Sequence, residues 1–193
     1  MKKSSRILIA FFSLLLIVLY FVPIWSISLQ APQYPEGLGM KIWINKMSGD
    51  LNIINGLNHY IGMKTIHPES IKELSVMPLV IAFFIAAGLL VSILNKRKLV
   101  LAWIVLFVIA GIAGMTDFYM WEYDYGHNLD PTAAIKITGM NYQPPLIGSK
   151  NLLNFTATSL PDTGGYIFFI TGIVFILVFF YERKTREKTG GKI

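Results

Sequence analysis

Four apolar stretches, residues 7–25, 76–94, 99–121 and 164–181, decide what this chain can fold into. At 1.5 Å of rise per residue, a helix of about 20 residues crosses a hydrocarbon core about 30 Å thick, and all four stretches are close to that length. Within a bilayer every backbone polar group must be bonded inside the protein, which leaves helices or closed barrels. Composition agrees with helices in lipid: 54% of the 193 residues are hydrophobic and 15% are charged, where a soluble domain is about a quarter charged. The predicted fold class is therefore an all-α membrane protein with four transmembrane helices.

The first stretch follows Lys2, Lys3 and Arg6, as the core of a secretory signal would. It is too long for one, and the only cleavage-like site, near Ala31, is poor, so a retained helix is expected. Pro78 falls in the first turn of the second stretch, where a missing N–H costs little. Asn95-Lys96-Arg97-Lys98 leaves room only for a tight turn between the second and third stretches. Four spans put both termini on one side. That side collects eleven of the seventeen Lys and Arg and two of the eleven Asp and Glu. By the positive-inside rule it is cytoplasmic, which predicts a multi-pass membrane protein with both termini inside.

Two long segments, 26–75 and 122–163, then lie outside as extracytoplasmic loops. They are too rich in Trp, Tyr, Ile and Leu to stay disordered, and are expected to pack together as one small mixed cap. In the first, residues 40–46 alternate and precede Ser48-Gly49-Asp50 and 51–54, a hairpin pattern. Asn55-Gly56 reads as a turn, with a short helix over 57–63 that stops by His67 because Pro68 follows. In the second, 133–138 reads as a strand and 142–148 as a turn or extended loop.

The net charge of +6 separates by membrane side and forms no basic patch interleaved with aromatics, so nucleic acid is not an expected partner. With no cysteine, thiolate sites, disulfides and cysteine nucleophiles are excluded. No phosphate-binding glycine loop, nucleophile elbow, HExxH pair or haem-attachment motif is present, and the expected class is not an enzyme. A hydrolase built on Asp117, Glu122 and His127 is the weakest alternative, because neither a nucleophile nor an oxyanion site can be named.

The segment 52–69 concentrates the chemistry. If 57–63 is helical, His59 and Met63 share a face and His67 follows the helix end. A His/Met/His set without thiols suits copper in an oxidising compartment. The structural alternative is that His59 bonds within the cap, Met63 packs and His67 is exposed. Asp117, between Met115 and Met120, is the one acidic residue within an apolar stretch, and it either faces a wet cavity or is wetted at the helix end. With Glu122, Asp124, His127 and Asp130 it would form an acidic mouth that concentrates cations, unless those residues are an ordinary solvated loop. The candidate metal ligands are thus His59, Met63 and His67, with Asp117, Met120 and His127 as a second group. Ala110 and Gly114 form a small-xxx-small pair for close helix packing.

Tyr34-Pro35-Glu36-Gly37-Leu38, Gly49-Asp50, the run from Asn55 to Met63, the run from Tyr142 to Lys150, and Leu153-Asn154-Phe155 carry a family resemblance. In these motifs and in the four-span layout the chain resembles small bacterial membrane proteins encoded beside nitrous-oxide reductase and its copper-maturation factors. The resemblance implies a supporting role in nitrous-oxide respiration, by assembly, copper supply or electron delivery to a periplasmic copper enzyme. Copper is then the expected metal, and the bilayer, the reductase and its maturation factors the expected partners. The alternative it leaves open is a membrane anchor that passes electrons from the quinol pool or a cytochrome to a periplasmic reductase.

Overall fold

The computed structural model describes residues 1–137, 139–152 and 154–190, with side chains described as far as Thr185. Helix α1 covers Lys3–Leu15 and tightens into a 3-10 segment over Leu16–Tyr20. The two together measure about 30 Å, since 3-10 geometry adds about 2 Å per residue, so eighteen residues reach as far as a bilayer core. The first stretch was expected to remain helical to Trp25. Instead the chain leaves the helix at Phe21, passes Pro23, and Trp25 opens a strand. Ile24 already donates its N–H to Ile42, so sheet pairing supplies the bonds that a further helical turn would have made.

Helix α2 covers Leu51–Ile61, α3 Glu73–Leu94, α4 Arg97–His127 and α5 Thr163–Gly190. Together with the Lys3–Tyr20 segment, α3, α4 and α5 are long and apolar enough to cross a membrane. Between α3 and α4 the chain turns on two residues, with Asn95 in the left-handed region at φ 55°. Helix α4 runs six residues beyond the predicted end at Trp121. Its 31 residues are about 46 Å long, so roughly ten residues extend past a hydrocarbon core.

Strands β1 (Trp25–Ala31), β2 (Tyr34–Ile42), β3 (Met47–Gly49), β4 (Gly148–Leu152) and β5 (Phe155–Pro161) form one antiparallel sheet in the order β3-β2-β1-β5-β4. Six register pairs from Trp25↔Pro161 to Gln30↔Thr156 join the two long segments, so they share a single sheet. The expected hairpin exists, but its arms are β2 and β3. Residues 51–54 belong to α2 and are not a strand. Asn55-Gly56 is likewise helical: Ile54 and Asn58 form a buried stripe four residues apart, and that packing outweighs the roughly 1 kcal/mol a mid-helix glycine costs. Residues 133–137 contain no strand, and Thr138 lies outside the described residues.

The bundle core centres on an aromatic stack. Trp103 lies 3.7 Å from the Phe175 ring and 4.5 Å from Phe107, and its indole N–H donates to the Phe84 carbonyl. Gly114 meets nothing within 4 Å, so the expected small-residue contact at Ala110 and Gly114 does not form there. The closest approach is at Gly88, where an added Cβ would sit 2.1 Å from Ser13 Oγ and 2.9 Å from Ser13 Cβ. Gly88→Ala should therefore cost roughly 1–3 kcal/mol of bundle stability. Adding Ser13→Gly should recover most of that loss in denaturant titrations, and equal damage with and without Ser13→Gly would locate the contact elsewhere.

A second core lies between the sheet, α2 and the far end of α4, built on Trp25, Ile27, Leu38, Met40, Ile54 and Ile66 with Phe118 and Trp121 against it. The two ends of the bundle therefore differ. One carries the sheet; the other gathers Lys2, Arg97 and Glu182 around one cavity.

Candidate functional site

The segment 52–69 is held by its asparagines. Asn55 accepts the Ile66 N–H at 2.7 Å and donates to the Ile66 carbonyl at 3.0 Å, which clamps the returning loop as a neighbouring strand would. Asn58 donates to the Lys64 carbonyl at 3.3 Å. The helix stops because Gly62 takes φ 80°, and a Cβ there would lie 2.9 Å from the Asp130 carbonyl oxygen and from the Ala133 side chain. Asp130 donates its N–H back to Gly62 at 2.8 Å. The second long segment thus closes over the end of α2.

This arrangement alters the expected ligand geometry. Met63 lies beyond the Gly62 cap, so it does not share a helical face with His59. His59 is exposed in the last turn of α2, its ring edge-on to Tyr60. Nearby, the Thr132 hydroxyl and N–H hold the Asp130 carboxyl below the usual carboxylate range, and the charges of His59 and Lys136 add to that. His67 is exposed, with Nε2 bonded to Thr65 Oγ1 at 2.8 Å and Nδ1 3.5 Å from Glu69. His127 ends α4, stacked on Tyr123 at 4.0 Å, with Nδ1 3.1 Å from the Tyr123 carbonyl. Met120 is 64% exposed, and Asp117 is exposed on α4 with Glu73 as a charged neighbour. Among the described residues no three His, Asp or Glu side chains converge as a metal site would require.

Nor do the acidic residues form an open mouth. Helix α4 continues to His127, and at about 100° per residue Glu122 points well away from the face that Asp117 and Asp124 share, while Asp130 lies beyond the helix. Asp124 pairs with Lys64 at 2.5 Å and also accepts from Asn128. Glu122 goes to the opposite extreme: it is 0% exposed, and neither carboxyl oxygen has a hydrogen-bond partner among the described residues.

Glu122 marks the junction of sheet and bundle. One turn before it, Phe118 meets Trp25 edge-on at 5.6 Å, and the Trp25 indole donates to Ser159 Oγ on β5 at 2.8 Å. Ser159 in turn donates to the Leu146 carbonyl. One turn after it, Gly126 accepts the Tyr142 N–H at 2.9 Å, and a Cβ there would come within 2.3 Å of the Gln143 backbone. The Glu122 face of α4 is therefore covered by β1 at one end and by the strap at Tyr142 and Gln143 at the other. The indole N–H of Trp121 and the hydroxyl of Tyr142 are also buried, with no hydrogen bond of good geometry among the described residues. One acid and two donors are thus buried at this seam, a polar set of the kind that elsewhere serves a specific role, because leaving each group unpaired costs about 1–3 kcal/mol.

Glu122→Gln should leave stability within about 1 kcal/mol of the parent, whereas Glu122→Leu should raise it, because an apolar side chain has no polar atoms to strand. Detergent-solubilised unfolding titrations of the two variants check this, and a loss of more than about 2 kcal/mol in Glu122→Leu would mean that the carboxyl is satisfied in the native state.

The sequence pattern places Glu122 in an acidic mouth and misses its burial, because Glu122, Asp124 and Asp130 together have the composition of a polar loop. The available signal was helical spacing: Phe118, Glu122 and Gly126 repeat every four residues and continue the stripe of the apolar run. No protein-family model matches the chain, and no curated protein matches it.

Proposed function

We propose that the chain is a non-enzymatic accessory protein of the bacterial inner membrane, with both termini in the cytoplasm, which works through its sheet-bearing head in the periplasm. The observation that carries this reading is the β1–β5 pairing. It fixes two segments 130 residues apart in sequence into one body, and Trp25 seats that body on α4. A head held in this way presents surface without the flexibility of long loops.

Its hairpin tips lie side by side, with Asn154 donating to Gln33 at 3.3 Å and Tyr34, Pro35 and Thr156 lining one shallow cleft between them. Tyr34–Leu38 and Asn154-Phe155 belong to the motifs that resemble the membrane proteins encoded with nitrous-oxide reductase. That supports docking of the reductase, or of one of its copper-maturation factors, on these tips. Copper handling is the further task the resemblance adds. Its ligands would come from His59, Met63 and His67, with Asp117, Met120 and His127, drawn together as the ion binds. Of these histidines, His67 has both ring nitrogens engaged, by Thr65 and Glu69, whereas His127 bonds through Nδ1 alone and keeps Nε2 for a ligand.

A photo-crosslinking amino acid at Gln33 or Asn154, with lipid-facing Ile112 as control, tests docking in cells respiring nitrous oxide. Capture of the reductase or a maturation factor from the tips alone is expected, and tips that capture neither would refute the reading. Copper analysis after incubation with Cu(I), comparing the parent with His59→Ala/His67→Ala, tests the second half. Bound copper that the double variant loses supports copper handling, and copper absent from the parent excludes it.

A further inference from the structure

The bundle end opposite the sheet carries a cavity of about 430 Å³ whose wall includes Lys2, Asn95, Arg97 and Glu182. We infer that this cavity binds the phosphate of an anionic phospholipid. The strongest sign is Arg97. Its guanidinium lies 5.5 Å over the Phe179 ring, half-buried, and makes no hydrogen bond or ion pair among the described residues. Five N–H donors in a fixed fork, steadied by an aromatic face and left without an acceptor, suit the oxygens of a phosphate. The Asn95 amide, presented by the left-handed turn that joins α3 to α4, also has no described partner.

Lys2 reaches the same cavity. Its ammonium donates to Tyr181 Oη at 2.7 Å and keeps two further N–H groups. Glu182 is the acidic residue in the wall, and its Oε1 is engaged by the Lys2 N–H at 2.8 Å and the Ser5 hydroxyl at 2.5 Å. Beyond the wall, the same end carries Lys3, Arg6, Lys96, Lys98, Arg183 and Lys184, and Glu182 is its only acid among the described side chains. The field therefore favours an anion.

Depth selects a lipid as the source. Ile93 is 70% exposed, Leu94 is 44% exposed and Phe180 is 56% exposed, all immediately before the charged residues, so the hydrocarbon boundary falls at the cavity mouth. A phosphate held between Arg97 and Lys2 is then at headgroup level, and its acyl chains run along the exposed apolar faces of α3 and α5. Basic pockets between helices on the cytoplasmic side take anionic headgroups in this way.

The inference rests on membrane insertion, so the experiment reports on insertion and binding separately. The full chain is purified in detergent, sedimentation with vesicles establishes insertion, and native mass spectrometry then compares phosphatidylglycerol, phosphatidylcholine and inorganic phosphate. Retention of phosphatidylglycerol on the order of tenfold over phosphatidylcholine is expected, falling to parity in Lys2→Gln/Arg97→Gln but not in Lys96→Gln/Lys98→Gln, which removes equal charge outside the wall. Arg97→Lys, which keeps the charge and the aliphatic stem, should retain part of the preference and serves if the double variant fails to fold. Equal retention of both lipids by the inserted parent, equal loss in the two double variants, or binding of inorganic phosphate alone would each overturn the assignment. Failure to insert would instead refute the membrane reading beneath it.

Discussion

Trp25→Ala is expected to cost about 3–5 kcal/mol, at the upper end for a single side chain, because it removes a buried indole from the seam between sheet and bundle. Trp25 is 6% exposed, packs edge-on against Phe118 of α4, and donates to a fully buried Ser159 hydroxyl. Its loss leaves a cavity and removes the donor to Ser159, and each consequence adds to the other. The damage should be local. The sheet should become sensitive to protease at low denaturant, while α3, α4 and α5, whose core lies elsewhere, remain helical by circular dichroism. Trp25→Phe should recover the packing and fail to recover the bond, leaving a deficit of about 1 kcal/mol. Simultaneous loss of sheet and bundle in Trp25→Ala would show that the two halves unfold as one unit.

Trp103→Ala should act on the other half. Trp103 bridges α3, α4 and α5: it stacks on Phe175 and Phe107, meets Phe84 edge-on at 5.5 Å, and bonds the Phe84 carbonyl. With the helices in lipid, as proposed, the hydrophobic effect would not hold neighbours together, and contact between rings would carry the association. Removing the central ring strands its partners against an empty space, at a cost of about 3–5 kcal/mol by analogy with core indoles in water. Detergent-titrated unfolding measures the loss, and Trp103→Phe, which keeps the stack, should recover more than half of it. A cost below about 1 kcal/mol would mean that the helices are held by something other than this stack.

The four apolar runs were legible because length and hydropathy act locally, and four helices long and apolar enough to cross a membrane are what the fold contains. The ends of those runs were harder to place. Residues 21–25 are as apolar as the helix before them, and what makes them leave it is a strand partner, Ile42, that no local window contains. The pairing of β1 with β5 joins residues about 130 apart, and nothing in either strand names the other. Asn55-Gly56 has the composition of a turn, and only the burial of Ile54 and Asn58 in the finished head makes it helical. The same distance hid the seam. Glu122 becomes notable when the Tyr142 strap closes over it, and His59 and Met63 lose their shared face when α2 stops at Gly62, against Asp130.

The most direct test of the account is the side of the membrane on which the head stands. Because the chain has no cysteine, single cysteines introduced at Asn151 on β4 and at Lys98 beside the α3–α4 turn can be probed in intact spheroplasts with a membrane-impermeant maleimide. Labelling at 151 before permeabilisation, and at 98 only after it, is the predicted result. Labelling at 98 in sealed spheroplasts, with 151 protected until they are opened, would place the head in the cytoplasm and contradict the proposed role.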